Sequence, residues 1–229
     1  MRLAPEGIPF IVFFALLAAG LAWGSTAFPY PRVLQVLAGA FLGLTLFSVW
    51  FFRNPEPALP DDPRAVLAPG QGRIIVVEEA EEPEWLGGPA RKISIFLSVF
   101  DVHVQRAPVP GTVGHRAYRP GAYAVAWADK ASTDNEQAEL GLETDRGRVL
   151  VKQIAGLVAR RIVTDPQEGD TVQKGGRIGL IRFGSRVDLF FPLDWEVTTE
   201  VGDRVTVGES ILARMPAGEP ARTPLEEAP

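Results

Sequence analysis

The chain contains no cysteine, which excludes disulfides, thiolate metal sites and a cysteine nucleophile. Histidine is scarce as well: only His103 and His115 occur, so any imidazole chemistry has two candidates. An excess of positive charge is also lacking, because the formal net charge is −5. A nucleic-acid binder built on a basic face is therefore not expected. We predict neither a nucleic-acid partner nor a bound metal.

Glycine and proline are abundant instead, with 23 glycines and 20 prolines among 229 residues. This composition favours a turn-rich β domain over an architecture of long helices. The length leaves room for a membrane segment and one soluble domain of ordinary size.

Two stretches near the N-terminus, residues 8–24 and 33–52, carry no charge. As helices they would reach roughly 26 and 30 Å, close to the hydrocarbon thickness of a bilayer. We predict a transmembrane helical hairpin over residues 1–52. A signal peptide is the alternative for the first stretch, and a hairpin that dips into one leaflet is the alternative for both.

Arginines give the expected orientation of this hairpin. Arg2, Arg53 and Arg64 lie on the side shared by the N-terminus and the soluble domain, whereas the linker between the stretches carries only Arg32. The positive-inside tendency then predicts a protein of the cell inner membrane whose soluble domain faces the cytoplasm.

The remaining chain divides into a proline-rich linker at 53–64, a β domain at 65–216 and a Pro/Glu-rich tail at 217–229 that we expect to be disordered. Within the β domain, a Gly-Asp-x-Val-x-x-Gly sequence occurs at 169–175 and again at 202–208, each before an apolar run. The repeat resembles the hairpins of lipoyl-domain-like sandwiches. The predicted fold is mainly β, a lipoyl-like or hybrid β-sandwich preceded by the helical hairpin.

One Gly-Ser pair, Gly184-Ser185, falls between two apolar runs that are typical of short buried strands. Two such strands would impose the chain geometry tightly. A strained peptide bond could be held there for attack by the serine hydroxyl.

Asp101 and His103 lie two residues apart in a predicted strand over residues 92–104, so their side chains would project from the same face. A carboxylate could then orient an imidazole. The alternative is that both side chains satisfy the backbone groups of a turn.

The runs at 96–106, 131–137 and 182–188 occur together, and this combination resembles the phosphatidylserine decarboxylases of the short, membrane-anchored type. The resemblance implies self-cleavage between Gly184 and Ser185, giving a heterodimer of a β chain (1–184) and an α chain (185–229). It also implies a pyruvoyl group made from Ser185. This group would form a Schiff base with phosphatidylserine and yield phosphatidylethanolamine.

The resemblance further implies Ser185, Asp101 and His103 as catalytic residues. Arg106 is a candidate partner of the lipid phosphate, the alternative being a solvated strand-end arginine. Asn135 and His115 are the other candidate substrate-binding residues, although His115 lies nearer a turn, where a surface histidine is more usual. The base that starts cleavage is left open. A non-enzymatic, membrane-tethered β-sandwich adaptor, with Ser185 an ordinary turn residue, is the alternative function.

Overall fold

The structure is a computed structural model that describes residues 2–121, 135–156, 162–182 and 185–217. The chain forms two compact units, Met1–Glu56 and Pro57–Pro229.

The first unit is a pair of helices, α1 (Ile8–Ala27) and α2 (Pro31–Phe51), accompanied by a two-stranded pairing of β1 (Arg2–Leu3) with β2 (Arg53–Asn54). Both helices are long and apolar enough to cross a membrane. The expectation of two apolar helices is confirmed. Helix α1 extends beyond the predicted stretch at 8–24, and its last polar side chains, Ser25 and Thr26, donate hydrogen bonds to the carbonyl groups of Ala22 and Trp23.

The second unit is built from strands, which confirms the mainly β prediction. Glycine and proline lie between many of them, as the turn-rich composition indicated. The described strands are β3 (Ala65–Leu67), β4 (Gly72–Glu82), β5 (Gly88–Leu97), β6 (Val104–Arg106), β7 (Gly111–Arg119), β8 (Gln137–Thr144), β9 (Gly147–Ala155), β10 (Ile162–Thr164), β11 (Thr171–Val172), β12 (Arg177–Ile181), β13 (Ser185–Phe191), β14 (Glu196–Val197), β15 (Arg204–Val205) and β16 (Ile211–Arg214).

These strands form one large antiparallel sheet and two small ones. The large sheet has the order β11-β7-β8-β9-β13-β5-β4-β15, and the small sheets have the orders β10-β12-β6 and β14-β16-β3. One buried apolar cluster contains side chains from all three sheets, among them Ile95, Val187, Ile178 and Leu212. One face of the large sheet therefore packs against both small sheets, and this contact is the main core.

The sheet orders reveal two matching halves. In the large sheet, strands β11, β7, β8 and β9 mirror β15, β4, β5 and β13, and the two small sheets match each other strand for strand. We call β6–β12 the continuous half and β3–β5 with β13–β16 the interrupted half. The repeated sequence occupies the same place in each, because the N–H groups of Gly175 and Gly208 donate to the carbonyls of Ala107 and Ala68, both at 2.9 Å. Gly175 and Gly208 also share a left-handed backbone, with φ of 74° and 73°.

The difference between the halves is how their third and fourth strands connect. In the continuous half, β8 turns into β9 through residues 145–146. In the interrupted half, the whole continuous half is inserted at that position, between Leu97 of β5 and Ser185 of β13. The chain leaves through residues 98–103 and returns at Ser185. Ser185 therefore lies where the chain re-enters the interrupted half.

The predicted strand over residues 92–104 is wrong as one element. Strand β5 ends at Leu97, and Val104 begins β6 in a different sheet. The break is a turn in which the N–H of Asp101 donates to the carbonyl of Ser98 at 3.0 Å. Asp101 and His103 therefore do not share a strand face.

Candidate active site

Ser185 begins the central strand of the large sheet. It lies opposite Leu97 of β5 on one side and Ala155 of β9 on the other. The following side chains of β13 alternate, so that Val187 enters the main core together with Leu97 and Ala155. Ser185 has the same parity as Val187 and projects from the core face.

The hydroxyl of Ser185 is enclosed. The residue is fully buried, and its Oγ has no hydrogen-bond partner within the residues that the structure describes. A buried hydroxyl without a partner is costly, and such atoms often mark reactive positions. The predicted residue before the cut, Gly184, lies outside the described residues.

Asp101 closes the turn that leaves β5. Its Oδ2 accepts hydrogen bonds from the backbone N–H of Ser98 at 2.9 Å and from the Ser98 hydroxyl at 2.7 Å. Its Oδ1 accepts from Nη2 of Arg204 at 2.6 Å. The carboxylate is almost completely buried and holds the loop next to the Leu97–Ser185 pair.

His103 lies beside the segment that leads to Ser185. Its carbonyl accepts a hydrogen bond from the N–H of Ile181, the last residue of β12, at 3.3 Å. Nδ1 of its ring is 3.0 Å from the carbonyl oxygen of Asp101. Because a carbonyl only accepts, Nδ1 carries the proton in the neutral ring, and Nε2 is the basic nitrogen. Asp101 thus orients His103 through its backbone and not through its carboxylate.

Asn135 joins the same end of the sheet. Its Nδ2 donates to the carbonyl of Ala155 at 2.7 Å, and Ala155 is the cross-strand neighbour of Ser185. The rest of the predicted 131–137 run before Asn135 lies outside the described residues. The structure therefore brings Ser185, Asp101, His103 and Asn135 to one end of the large sheet.

Arg106 is not a solvated strand-end arginine, because it is buried in β6. Its Nη1 donates to the carbonyl of Gly175 at 2.9 Å, and its Cδ would lie 3.1 Å from a side chain added at Gly208. Arg106 thus packs against the two repeated turns, one from each half.

His115 lies away from the other candidates and inside β7, not at a turn. It is level with Phe190 of β13, about 17 Å along the strand from Ser185. Its ring stacks on Trp85 at 5.5 Å, and its Nε2 is 3.2 Å from Glu139. Trp85 and Phe190 belong to a second, small apolar cluster outside the main core.

Glu82 anchors this second cluster. Burial alone would raise the pKa of its carboxyl, but the N–H groups of Leu86 and Trp85, together with Lys152, outweigh burial and hold the pKa below 4.5. Glu82 is ionised at neutral pH and joins the β4–β5 hairpin to Lys152 of β9.

Sequence reasoning missed a chain of buried amides that reaches His103. The Thr164 hydroxyl donates to Gln153, Nε2 of Gln153 donates to Gln105 at 2.9 Å, and Nε2 of Gln105 donates to the carbonyl of His103 at 2.7 Å. Gln105 and Gln153 are fully buried in strand positions where apolar side chains are usual. Two glutamines inside otherwise apolar runs were the available signal.

No group of three His, Asp or Glu side chains in the described ranges is placed to hold a metal ion. Among the described residues, the imidazole of His103, the carboxylate of Asp101 with its partner Arg204, and the amide of Asn135 lie at the Ser185 end of the sheet. This set can position a hydroxyl and transfer a proton.

Comparison with known proteins gives a consistent result. The family model for phosphatidylserine decarboxylase matches residues 44–213. A phosphatidylserine decarboxylase proenzyme from Symbiobacterium thermophilum is 47% identical over 218 residues, which cover 93% of this chain and 96% of the relative. The proenzyme of that name from Desulfotalea psychrophila is 43% identical over 213 residues, covering 93% and 96%.

A third relative with the same name, from Salinibacter ruber, is 47% identical over 190 residues, covering 82% of this chain and 84% of its own. Such identity over nearly full lengths goes together with the placement of Ser185, Asp101 and His103 at one end of the sheet. The chain belongs to the phosphatidylserine decarboxylase family of enzymes.

Proposed function

We propose that this protein decarboxylates phosphatidylserine to phosphatidylethanolamine at a membrane, after cleaving itself between Gly184 and Ser185. One observation carries the self-cleavage: the Ser185 hydroxyl is fully buried and unpartnered in the described structure, at the point where the chain re-enters the central strand. The word proenzyme in the names of the relatives supports a processed chain.

Cleavage begins with the Ser185 hydroxyl, which adds to the Gly184 carbonyl carbon. The C–N bond breaks, leaving an ester and a free amine at residue 185. A base then removes the α-proton of residue 185, the Cβ–Oγ bond breaks, and residues 1–184 leave as a carboxylate. Water hydrolyses the resulting unsaturated residue, ammonia departs, and a pyruvoyl ketone remains joined to Arg186 by an amide.

The position of Ser185 fits this group, because its pairing with Leu97 and Ala155 holds the reacting residue in a fixed place. When present, the pyruvoyl group would supply a ketone for the substrate amine and an electron sink as the carboxylate leaves. We assign proton transfer to Nε2 of His103. Asp101 positions the loop, and Asn135 fixes the backbone of Ala155 opposite Ser185.

The remaining assignments are also proposals. We assign the protein to the cell inner membrane, with the β domain on the cytoplasmic side, and the two apolar helices support this assignment. The mature protein is a heterodimer of residues 1–184 and 185–229. Arg106 and His115 have structural contacts that account for their positions, so we assign the substrate contacts to the Ser185 end of the sheet.

The test is the intact mass of the purified protein under denaturing conditions. We expect two fragments, ending at 184 and beginning at 185, with the second blocked at its N-terminus. A single uncut chain in active protein would contradict the proposal, as would a free serine at the start of the small fragment. An uncut, inactive chain would favour the adaptor.

A further inference from the structure

The loop that carries Asp101 and His103 also carries an exposed aromatic side chain. Phe100 is 66% exposed, although Asp101, the next residue, is 2% exposed. The turn from Ser98 to Asp101 is held by its own backbone bond and by two hydrogen bonds to the Asp101 carboxylate. Phe100 is therefore displayed by an anchored turn and not by a loose chain end.

Two arginines lie beside this turn. Arg204 donates to Asp101, while its side chain remains 64% exposed. Its cross-strand partner in the β15–β4 pairing is Arg73, which is also exposed. Like charges directly opposite each other on adjacent strands repel. Arg204 is paired with Asp101, whereas Arg73 donates to the neutral carbonyl of Gly202. Arg73 therefore supplies the positive charge most available to a negatively charged surface, in a chain whose net charge is −5.

The aromatic and the two arginines lie at the same end of the sheet as Ser185. Arg73 is opposite Phe96 of β5, one residue before Leu97, and Leu97 is opposite Ser185. Phe100 follows three residues after Leu97, beyond the end of the strand. We name Phe100, Arg73 and Arg204 the Phe100 patch.

We propose that the Phe100 patch docks on the surface of a bilayer that contains anionic phospholipid. Aromatic rings are favoured at the boundary between head groups and acyl chains, and arginine pairs with phosphate. Each basic residue near an anionic membrane adds to the attraction. Docking of this patch would bring a lipid head group to the end of the sheet beside Ser185. This consequence rests on the proposed function.

The absence of cysteine allows a direct test on the full chain in vesicles. Phe100→Cys provides one labelling site for a fluorophore, and Leu193→Cys provides the matched control. Leu193 is 36% exposed and follows β13 at its other end, roughly 20 Å along the strand from Ser185. Vesicles of phosphatidylcholine with brominated acyl chains, with or without phosphatidylglycerol, quench a fluorophore that reaches the bilayer.

We expect quenching at position 100 to exceed that at 193 several-fold and to increase when phosphatidylglycerol is present. Arg73→Gln should remove much of that increase. Equal quenching at the two positions, stronger quenching at 193, or no response to phosphatidylglycerol would overturn the proposal.

Two further readouts separate this proposal from the proposed function. Phe100→Ser should reduce turnover of long-chain phosphatidylserine in vesicles several-fold, with self-cleavage and turnover of a short-chain soluble substrate unchanged. Leu193→Ser should change none of the three. Quenching at 100 in a chain that never cleaves would refute the function and keep the docking surface. Normal self-cleavage and normal turnover of the short-chain substrate, without quenching at position 100, would refute the docking surface alone.

Discussion

The two halves of the β domain have the same strand order, yet only one carries the candidate active site. The continuous half passes from β8 to β9 through a two-residue hairpin. The interrupted half opens at the equivalent position, where the chain leaves β5 through the loop at 98–103 and begins β13 at Ser185. The shared scaffold supplies the central pair of strands. The interruption supplies the loop with Asp101 and His103, and it places Ser185 at the start of a buried strand.

The largest expected effect comes from removing the attacking group. Ser185→Ala should leave the chain uncut and inactive, because no hydroxyl remains. The control places a Gly-Ser pair in the equivalent hairpin of the continuous half, by Asp145→Gly with Arg146→Ser. That pair should stay uncut, because no loop with His103 lies beside it. Denaturing gels and intact mass measure both results, and cleavage at 145/146 would break the comparison.

The next effect concerns the loop that only the interrupted half has. His103→Ala should lower decarboxylation by roughly 10²- to 10⁴-fold, the usual contribution of a general acid or base. Asp101→Asn should slow self-cleavage by about 10- to 100-fold, because the loop loses its charged anchor. The measurements are the single-turnover rate of self-cleavage and the rate at which phosphatidylethanolamine forms.

Asp170→Asn is the matched control for this loop. Asp170 accepts the N–H of Gln167 at 2.8 Å, as Asp101 accepts that of Ser98, but it belongs to the continuous half. Asp170→Asn should leave the rates of self-cleavage and decarboxylation unchanged. Wild-type rates in the Asp101 and His103 variants would show that the loop is structural.

Deleting residues 1–52 tests what the β domain does without the helices. Self-cleavage should remain largely intact, because every candidate catalytic residue lies in the β domain. Turnover of long-chain lipid in bilayers should fall steeply, because drawing acyl chains into water costs about 0.8 kcal/mol per methylene. Turnover of a short-chain soluble analogue should fall much less. Equal losses on both substrates would show that the helices support the fold.

Glu82 links the halves, because it lies in β4 of one and contacts Lys152 in β9 of the other. Glu82→Gln should lower the free energy of unfolding by about 1–3 kcal/mol at neutral pH. The folded-state pKa lies below 4.5, so this stabilisation is complete above that pH and is lost as the pH falls through the folded value.

Thermal melts of the detergent-solubilised protein at pH 7 and at a series of lower pH values test this dependence. The gap between wild type and Glu82→Gln should narrow steadily as the pH falls through the folded pKa of Glu82. Glu81→Gln removes the same charge from an exposed neighbour and should change stability by under about 0.5 kcal/mol. A gap that is independent of pH would contradict an ionised role for Glu82.

The smallest expected effect tests most directly whether the two halves are equivalent. Gly169 and Gly202 occupy equivalent turns, have φ of 89° and 103°, and have open space where a side chain would begin. Gly169→Ala and Gly202→Ala should therefore each cost about 1 kcal/mol, from backbone strain alone. Gly88→Ala, with space but no positive φ, should be nearly neutral. Clearly unequal losses at 169 and 202 would mean that the two turns are not equivalent.

Local patterns in the sequence predicted the helices, the strands around Ser185 and the repeated turns. The prediction of one strand over 92–104 was wrong because apolar residues continue through Val99, Val102 and Val104. The turn that breaks the strand is fixed by the Asp101 side chain and by Arg204, which is distant in sequence. Periodicity carries no information about such a contact.

The surroundings of Arg106 and His115 could not be predicted from the sequence, for related reasons. The burial of Arg106 is decided by turns at Gly175 and Gly208, which only the folded repeat brings to it. The register of β7 shifts between Val113 and His115, and this irregularity accompanies the packing of His115 on Trp85. Neither the packing nor the shift can be predicted from the residues next to His115.

Strand β13 has a consequence for how long the two pieces would stay together after the proposed cleavage. It pairs over seven residues with β5 and over six with β9, and each of its residues is buried. A nick before Ser185 therefore frees a chain end without releasing a fragment. The two pieces can separate only as fast as the whole β domain unfolds, because extracting β13 removes the middle of the large sheet. We expect one species in native mass spectrometry, two bands on a denaturing gel, and a separation rate equal to the rate of global unfolding.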